Sequence, residues 1–122
     1  MTIEAYVIDY LLDDLGIQTY GQMPDDPNPT DNPENFIVVQ LTGSTVSNHI
    51  WESTLAIQSY SESLAKASRL NSAVIQSMLN IISQDEICRV HLNSAYEYTD
   101  ESTKRPRYQA VIVLNHYEME GE

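Results

Sequence analysis

The chain has 122 residues, one cysteine and a formal net charge of -12, from 18 acidic side chains against six basic ones. The length fits one domain with one core. So acidic a chain does not suit a protein that wraps nucleic acid, because phosphate binding needs clustered lysine and arginine. The single cysteine excludes an intrachain disulfide, which fits a reducing compartment. No apolar run approaches the roughly 20 residues of a membrane span, and no secretory signal is visible. We therefore expect a protein that folds in the cytoplasm and has no membrane partner.

The first predicted element is a helix over residues 2–15. Gly16 follows as its stop, because glycine accepts the left-handed conformation that ends helices. Apolar residues recur within the helix at spacings of three and four, which indicates one buried face: Ile3, Val7, Ile8, Leu11, Leu12 and Leu15. A short strand over 17–20 comes next. Four prolines and four acids then predict an exposed acidic loop over 21–35, since proline fixes φ and removes a backbone donor.

Two strands are predicted after this loop. A β-branched run indicates the first, over 36–41, and residues 42–44 are expected to end it. Alternation of apolar and polar residues indicates the second, over 47–58, paired antiparallel with the first.

The second helix is predicted from a capping signal and a long apolar stripe. Ser59 and Glu62 have the form of a capping box, and Ser61 is an alternative cap. The stripe extends the helix to about residue 83, with Asn71 on the solvent side. The residues expected in the buried stripe are Leu64, Ala67, Leu70, Val74, Met78, Leu79 and Ile82.

The last third of the chain predicts two more strands. The first covers 87–98, and a polar connection over 99–107 leads to the second, over 108–117. The continuous apolar centre of that last strand indicates a position in the middle of a sheet. Residues 118–122 are expected to fray.

The predicted order is therefore helix, three strands, helix and two strands. This order is typical of an α+β fold: a single, mostly antiparallel (mixed) sheet of four to five strands with two helices packed on one face. We expect residues 1–122 to form a single domain.

No catalytic, cofactor or metal site is predicted. His49, His91 and His116 fall on three different predicted strands without metal-ligand spacing. Cys88 is expected to be a small core residue rather than a nucleophile, because His91 would point to the opposite face of its strand.

The charges are distributed unevenly along the chain. Residues 1–34 carry eight acids and no base, whereas three of the six bases lie together near residue 105. A head-to-tail contact between identical subunits needs two different complementary patches. We therefore predict a subunit interface formed by Lys104, Arg105 and Arg107 against Asp25, Asp26, Asp31 and Glu34.

Three segments resemble the tail terminator, or tail completion, family of siphophages. Residues 20–44, YGQMP…NPENFIVVQLTGS, form a proline loop before an aromatic-led strand. Residues 55–79, LAIQSYSESLAKASRLNSAVIQSML, run from a strand straight into a serine- and alanine-rich helix. Residues 105–117, RPRYQAVIVLNHY, form a proline-containing return into the last strand.

The resemblance implies a non-enzymatic structural protein of the virion. It implies a homo-oligomeric ring, typically a hexamer, at the head-proximal end of the tail. Such a ring caps the tail tube, stops its elongation and joins it to the head connector protein. Its partners would be other copies of itself, the tail tube protein and the head connector, while DNA passes through the lumen without specific binding.

Three other interpretations remain open. The chain could be another phage head-tail connector or neck protein. It could be a small-ligand-binding α+β module that uses Trp51 and tyrosines in a pocket, or a small hydrolase centred on Cys88 or the histidines. A concave aromatic pocket would favour the ligand-binding interpretation.

Overall fold

The computed structural model describes residues 1–22, 35–99 and 105–119. Its elements in chain order are α1 (Ile3–Leu15), β1 (Thr19–Tyr20), β2 (Phe36–Ser47), β3 (Ile50–Tyr60), α2 (Leu64–Asn80), a 3₁₀ turn (Ile81–Ser83), β4 (Ile87–Glu97) and β5 (Arg107–Tyr117). The five strands form one sheet in the order β1-β2-β3-β5-β4. β1 pairs parallel with β2, and the other pairs are antiparallel. The predicted α+β fold and the predicted order of elements are confirmed.

Both ends of α1 are set by identifiable residues, of which Gly16 was predicted. The Thr2 hydroxyl accepts a hydrogen bond from the Ala5 amide at 3.1 Å, which satisfies one of the free donors at the start of a helix. Gly16 ends the helix with φ 67°. The buried stripe is narrower than predicted and consists of Ile3, Val7 and Leu11.

The β2–β3 hairpin is longer than the sequence suggested. β2 does not end at residues 42–44 but absorbs the glycine in a bulge between Leu41 and Gly43 and continues to Ser47. Asn48 and His49 form the turn, with φ 53° and 68°. Two successive positive φ values are the mark of a two-residue type I′ hairpin turn, which asparagine tolerates well. The second predicted strand exists as β3 and pairs antiparallel with β2, as predicted. It begins at Ile50 rather than at residue 47, so the prediction that His49 lies on it is wrong.

The second helix begins at a different serine from the two that were predicted. The Ser63 hydroxyl accepts a hydrogen bond from the Lys66 amide at 3.2 Å. Ser59 instead lies within β3, and the Ser61 hydroxyl donates to the Asn35 side chain. The buried face of the helix is also rotated relative to the stripe predicted from the sequence. Asn71 is buried, and three residues of the predicted stripe, Leu64, Leu79 and Ile82, are exposed.

Both helices pack on the same face of the sheet, as predicted. One continuous core joins Val7 and Leu11 of α1 and Met78 of α2 to strand residues such as Ile57 and Ile112. β5 lies between β3 and β4, which confirms its predicted inner position. The predicted fray over 118–122 does not include Met119, which is only 4% exposed and belongs to this core.

Cys88 is not in the core, which corrects the prediction. Ile87 pairs with His116 and Arg89 pairs with Asn115, so that Cys88 is the extra residue of a bulge. A bulged residue on an edge strand is released from the alternation of the ladder, and Cys88 is exposed.

The core contact between sheet and helices makes a first prediction. Ile112 is fully buried on β5, whereas Ile82, just beyond α2, is 46% exposed. Ile112→Asp places an unpaired charge in the core, so we expect a loss of more than about 4 kcal/mol of unfolding free energy. Ile82→Asp should stay within about 1 kcal/mol of the wild type. Urea unfolding followed by circular dichroism measures both, and equal losses would contradict this description of the core.

A second prediction concerns the contact between Tyr6 of α1 and Glu86, the residue just before β4. Burial, followed by the hydrogen bond that its hydroxyl donates to Glu86 at 3.0 Å, raises the pKa of Tyr6 to about 12. A tyrosine whose pKa is higher in the folded state stabilises the fold below its unfolded pKa of about 10. That stabilisation is lost as the pH rises from about 10 to about 12.

We therefore expect the wild type to lose more unfolding free energy than Tyr6→Phe between pH 9 and pH 12. Urea titrations of both proteins at each pH provide the measurement. Parallel pH profiles would show that Tyr6 does not titrate in the folded state as described.

Candidate interaction surface

The predicted interface residues are only partly described. Arg105 and Arg107 lie at the start of β5, whereas Lys104, Asp25, Asp26, Asp31 and Glu34 lie outside the described residues. Whether the two groups meet across a subunit boundary therefore stays a prediction. What the structure adds is the environment of the two arginines.

Both arginines belong to the face of the sheet that carries no described helix. This outer face is formed by alternate residues of the four long strands, among them Phe36, Val38, Gln58, Tyr60, Tyr96, Arg107 and Gln109. Part of it is buried, because Phe36, Val38 and Tyr60 form a second apolar cluster, separate from the core under the helices.

An aromatic stack runs along one end of the outer face. The Phe36 ring stacks on Tyr60 with centroids 4.6 Å apart and an interplanar angle of 9°. Tyr20 approaches Phe36 edge-on at 6.0 Å. The Arg105 guanidinium lies over the Phe36 ring, 4.8 Å from its centroid. Its charge therefore faces the electron-rich face of an aromatic ring.

Arg107 is held between two tyrosines. Its guanidinium lies 4.3 Å from the centroid of the Tyr98 ring and 5.6 Å from that of Tyr60. It also donates to the Tyr60 hydroxyl at 2.8 Å and to the Tyr98 carbonyl oxygen. These contacts fix the position of the guanidinium before any partner arrives.

A chain of hydrogen bonds continues from Arg107 across three strands. The Tyr60 hydroxyl donates to Gln58 Oε1 at 3.4 Å, and Gln58 Nε2 donates to Gln109 Oε1 at 3.0 Å. Gln109 Nε2 then donates to the Tyr96 hydroxyl at 2.6 Å. Gln58 and Gln109 are more than nine-tenths buried, so this chain satisfies polar groups that would otherwise be costly.

The sequence analysis did not identify this network. The available signal was the spacing of two between polar and aromatic residues on three strands: Gln58 and Tyr60, Tyr96 and Tyr98, Arg107 and Gln109. Residues two apart share a face of a strand. Only the strand order, which places β5 between β3 and β4, shows that the three pairs are neighbours.

Charge is segregated across the sheet. Five of the six bases lie in the described residues, and three of these five belong to the outer face: Arg89, Arg105 and Arg107. Glu52 is the acidic residue that the described strands present on this face. The helical side instead presents the acids of α1: Glu4, Asp9, Asp13 and Asp14. The two sides of the molecule therefore differ in charge.

The three histidines do not come together. His49 lies in the hairpin turn, and His91 lies exposed on β4. His116 is 2% exposed on β5. Within the described ranges, no group of three or more histidine, cysteine, aspartate or glutamate side chains is arranged to hold a metal ion.

His116 is part of a short chain of polar contacts. Its Nδ1 lies 2.8 Å from the Tyr117 carbonyl oxygen. That oxygen can only accept, so Nδ1 carries a proton. Nε2 lies 2.8 Å from the Ser53 hydroxyl oxygen. The Oγ atom of Ser53 also lies 2.9 Å from the Oγ atom of Ser44. Because Ser53 is fully buried, this chain ties β2, β3 and β5 together rather than presenting a nucleophile to solvent.

Trp51 lines a cleft, but not together with the tyrosines. This cleft of about 430 Å³ is bounded by Trp51, Ile3, Leu41 and the polar chain ending at His116. A second, larger cleft of about 930 Å³ lies beside α1 and has a partly acidic lining. The aromatic pocket expected for a ligand-binding module, with Trp51 and tyrosines together, is not formed by the described residues. No described helix has the length and apolar character that crossing a bilayer requires.

The contacts of Arg107 make a third prediction. Arg107→Gln removes two cation–π contacts and two hydrogen bonds, so we expect a loss of about 1–3 kcal/mol in unfolding free energy. Arg69→Gln, an exposed change on α2, is the matched control and should stay within about 0.5 kcal/mol. Urea unfolding measures both. If both variants unfold at the same urea concentration, the outer-face network does not stabilise the monomer.

Comparison with known proteins shows the fold and leaves the family open. No family model matches the chain, and no curated protein matches it. Among the solved structures, it is similar to a chain of the structure described as "Virion of native gene transfer agent (GTA) particle". The TM-score is 0.67 at 16% identity, over 95% of each chain. The chain therefore shares its fold, over 95% of its length, with a chain of that structure.

Proposed function

We propose that this protein is a structural component of a phage-like virion and, more specifically, a tail terminator. Copies of the chain form a ring, of six by resemblance to that family, at the head-proximal end of the tail. The ring caps the tail tube, stops its elongation and provides the joint to the head connector protein. The observation that carries the proposal is the likeness to a virion chain over 95% of both chains.

The surfaces of the monomer suit the contacts that a ring needs. A ring closes through heterologous contacts, in which two different patches of one subunit meet their counterparts on two neighbours. The outer face is comparatively basic and aromatic, and the acids predicted to meet it on a neighbouring copy, Asp25, Asp26, Asp31 and Glu34, belong to a different segment of the chain. Aromatic residues and arginine are also the residue types enriched at protein interfaces.

The overall charge suits a passage for DNA. A net charge of -12 opposes lasting attachment to phosphate. Two of the outer-face arginines, Arg105 and Arg107, are held by phenylalanine and tyrosine rings, which reduces their freedom to follow a moving phosphate backbone. DNA would therefore pass through the lumen without specific binding.

The alternative is another head-tail connector or neck protein, which is also compatible with the likeness to a virion chain. The two functions differ in the surface that the ring recognises. A terminator binds the end of a tail tube and stops its growth, whereas a neck protein binds the connector and leaves tube growth unchanged.

Polymerised tail tube protein from the same virus provides the test. Purified chain added to growing tubes should cap one end, shorten the tubes and co-sediment with them, and electron microscopy should show a ring at the capped end. Normal tube lengths together with binding to the connector would favour the neck protein. A chain that binds neither tubes nor connectors would reject both functions.

A matched pair of charge reversals tests the predicted interface. We expect Asp25→Lys with Asp26→Lys to reduce tube capping at least about tenfold, because they remove acids predicted to face the bases near residue 105. Asp9→Lys with Asp13→Lys changes the net charge equally on the exposed face of α1 and should cap normally. Equal effects of the two pairs would show that total charge, and not this interface, matters.

A further inference from the structure

One edge of the sheet is left largely without a partner strand. β1 pairs with β2 only at Ile37 and Val38. From Val39 to Ser47, no strand in the described ranges pairs with this side of β2, and residues 42–47 are exposed. Outward-pointing amide and carbonyl groups along this segment are therefore available to another strand.

This edge lacks most of the features that usually prevent strands from pairing. Natural edge strands carry lysine, proline, inward-pointing charges or β-bulges. The sequence from Val39 to Ser47, VQLTGSTVS, contains no charged residue and no proline. It contains one bulge, between Leu41 and Gly43, after which the strand runs regularly to the turn.

The opposite edge of the sheet, β4, is different. It is exposed along most of its length and, among the described strands, pairs only with β5. Two bulges interrupt it, one at Cys88 and one between Leu92 and Ser94, and it carries Arg89 and Glu97. The sheet thus has two unlike edges, which is the requirement for a head-to-tail contact.

The strand directions favour pairing between these two edges. Each step from β2 through β3 and β5 to β4 is antiparallel, so β4 runs antiparallel to β2. When copies are related by rotation about one axis and the sheet continues, β4 of one copy lies antiparallel beside β2 of the next. The antiparallel ladder is slightly more stable per residue than the parallel one.

The charges beside the two edges are complementary as well. Next to the β2 edge, Glu52 lies across from Thr45 on the outer face. On the β4 edge, Arg89 and His91 occupy the same face. In the continued sheet, Glu52 and the Arg89 of a neighbouring copy are two strand spacings apart, about 10 Å. Pairing β2 with a second β2 offers Glu52 no such basic residue, because β2 and β3 contain neither lysine nor arginine.

We propose that the free β2 edge binds the β4 edge of a second copy, so that one sheet continues from subunit to subunit. This inference rests on the proposed ring and names the contact that closes it. Pairing of β2 with β2 would instead close a two-fold dimer and end the assembly at two copies.

The hairpin geometry identifies a backbone group to test. In a two-residue type I′ hairpin, the residues that flank the turn, Ser47 and Ile50, exchange backbone hydrogen bonds. Moving away from the turn, the backbone amides of successive residues then point alternately away from and toward the paired strand. The Thr45 amide therefore points toward β3, and the Val46 amide points toward the free edge. Proline is tolerated in an edge strand where its missing donor faces outward.

Val46→Pro, Val46→Ala and Thr45→Pro separate strand addition from side-chain contact. We expect Val46→Pro to fold, with a midpoint of urea unfolding close to that of Val46→Ala. It should nevertheless need about tenfold more protein for ring assembly and tube capping. Val46→Ala keeps the amide and should assemble like the wild type. Thr45→Pro should destabilise the hairpin itself, which checks the direction of the amides. Normal assembly by Val46→Pro would overturn the proposal.

Disulfide formation with the native Cys88 tests the partner strand. Single cysteines placed in turn from Ser44 to Ser47 should cross-link to Cys88 of a neighbouring copy at alternate positions, because alternate residues share a face. Ser72→Cys on the exposed surface of α2 is the control and should not cross-link. Cross-linked ladders longer than a dimer support the proposal.

Two results would overturn it. Rings seen by electron microscopy without cross-linking at any β2 position would remove the strand contact while leaving the proposed function in place. Cross-linking that persists after Cys88→Ser and stops at dimers would show pairing of β2 with β2. Conversely, cross-linked ladders from a chain that never caps tubes would support the strand contact and reject the tail function.

Discussion

Packing of both helices against one face of the sheet is the constraint on which the rest of this structure depends. The core formed there contains most of the fully buried aliphatic side chains, from Val7 on α1 to Ile112 on β5. A five-stranded sheet has a second face and two edges that the helices do not cover. Each must be stabilised by other means or remain available to a partner. Contacts within the chain stabilise the outer face, whereas the edges remain available to a partner.

The outer face is stabilised by contacts within the chain. Its buried glutamines, Gln58 and Gln109, bond to each other and to tyrosine hydroxyls. The end of this network is Arg107, whose guanidinium is stacked and hydrogen-bonded by two tyrosines. Side-chain ordering is part of the cost of any association. Because that cost is met during folding, an arginine fixed in this way loses little freedom when another subunit approaches.

The parts of the fold that depend on local sequence were predictable. The first helix, with its glycine stop, and the inner position of the last strand follow from residue types and periodicity. The choice among Ser59, Ser61 and Ser63 as helix cap could not be predicted, because all three offer the same hydroxyl and tertiary packing decides. The same is true of the Asn48–His49 turn, since it contains no glycine to mark the positive φ.

The interaction surface was less predictable than the fold, for a physical reason. Bulges in β2 and β4 shift the side-chain alternation by one residue, and a one-residue shift moves a residue to the other face. This shift is why Cys88 was expected in the core and is exposed. The basic cluster near residue 105 was visible in the sequence. Its aromatic partners come from other strands and became evident only when the strand order was known.

Net charge explains how an edge without lysine or proline can stay unpaired in the free chain. The β2 edge contains neither lysine nor proline, yet each copy carries a charge of -12, and like-charged copies repel one another in solution. The repulsion acts on the whole molecule and is partly screened at physiological salt, whereas strand pairing acts only at contact. In the proposed ring, a tube end that holds several copies side by side would raise their effective concentration and offset the repulsion. The charge would then keep free subunits apart until a surface collects them, so that the edges pair where a ring is needed.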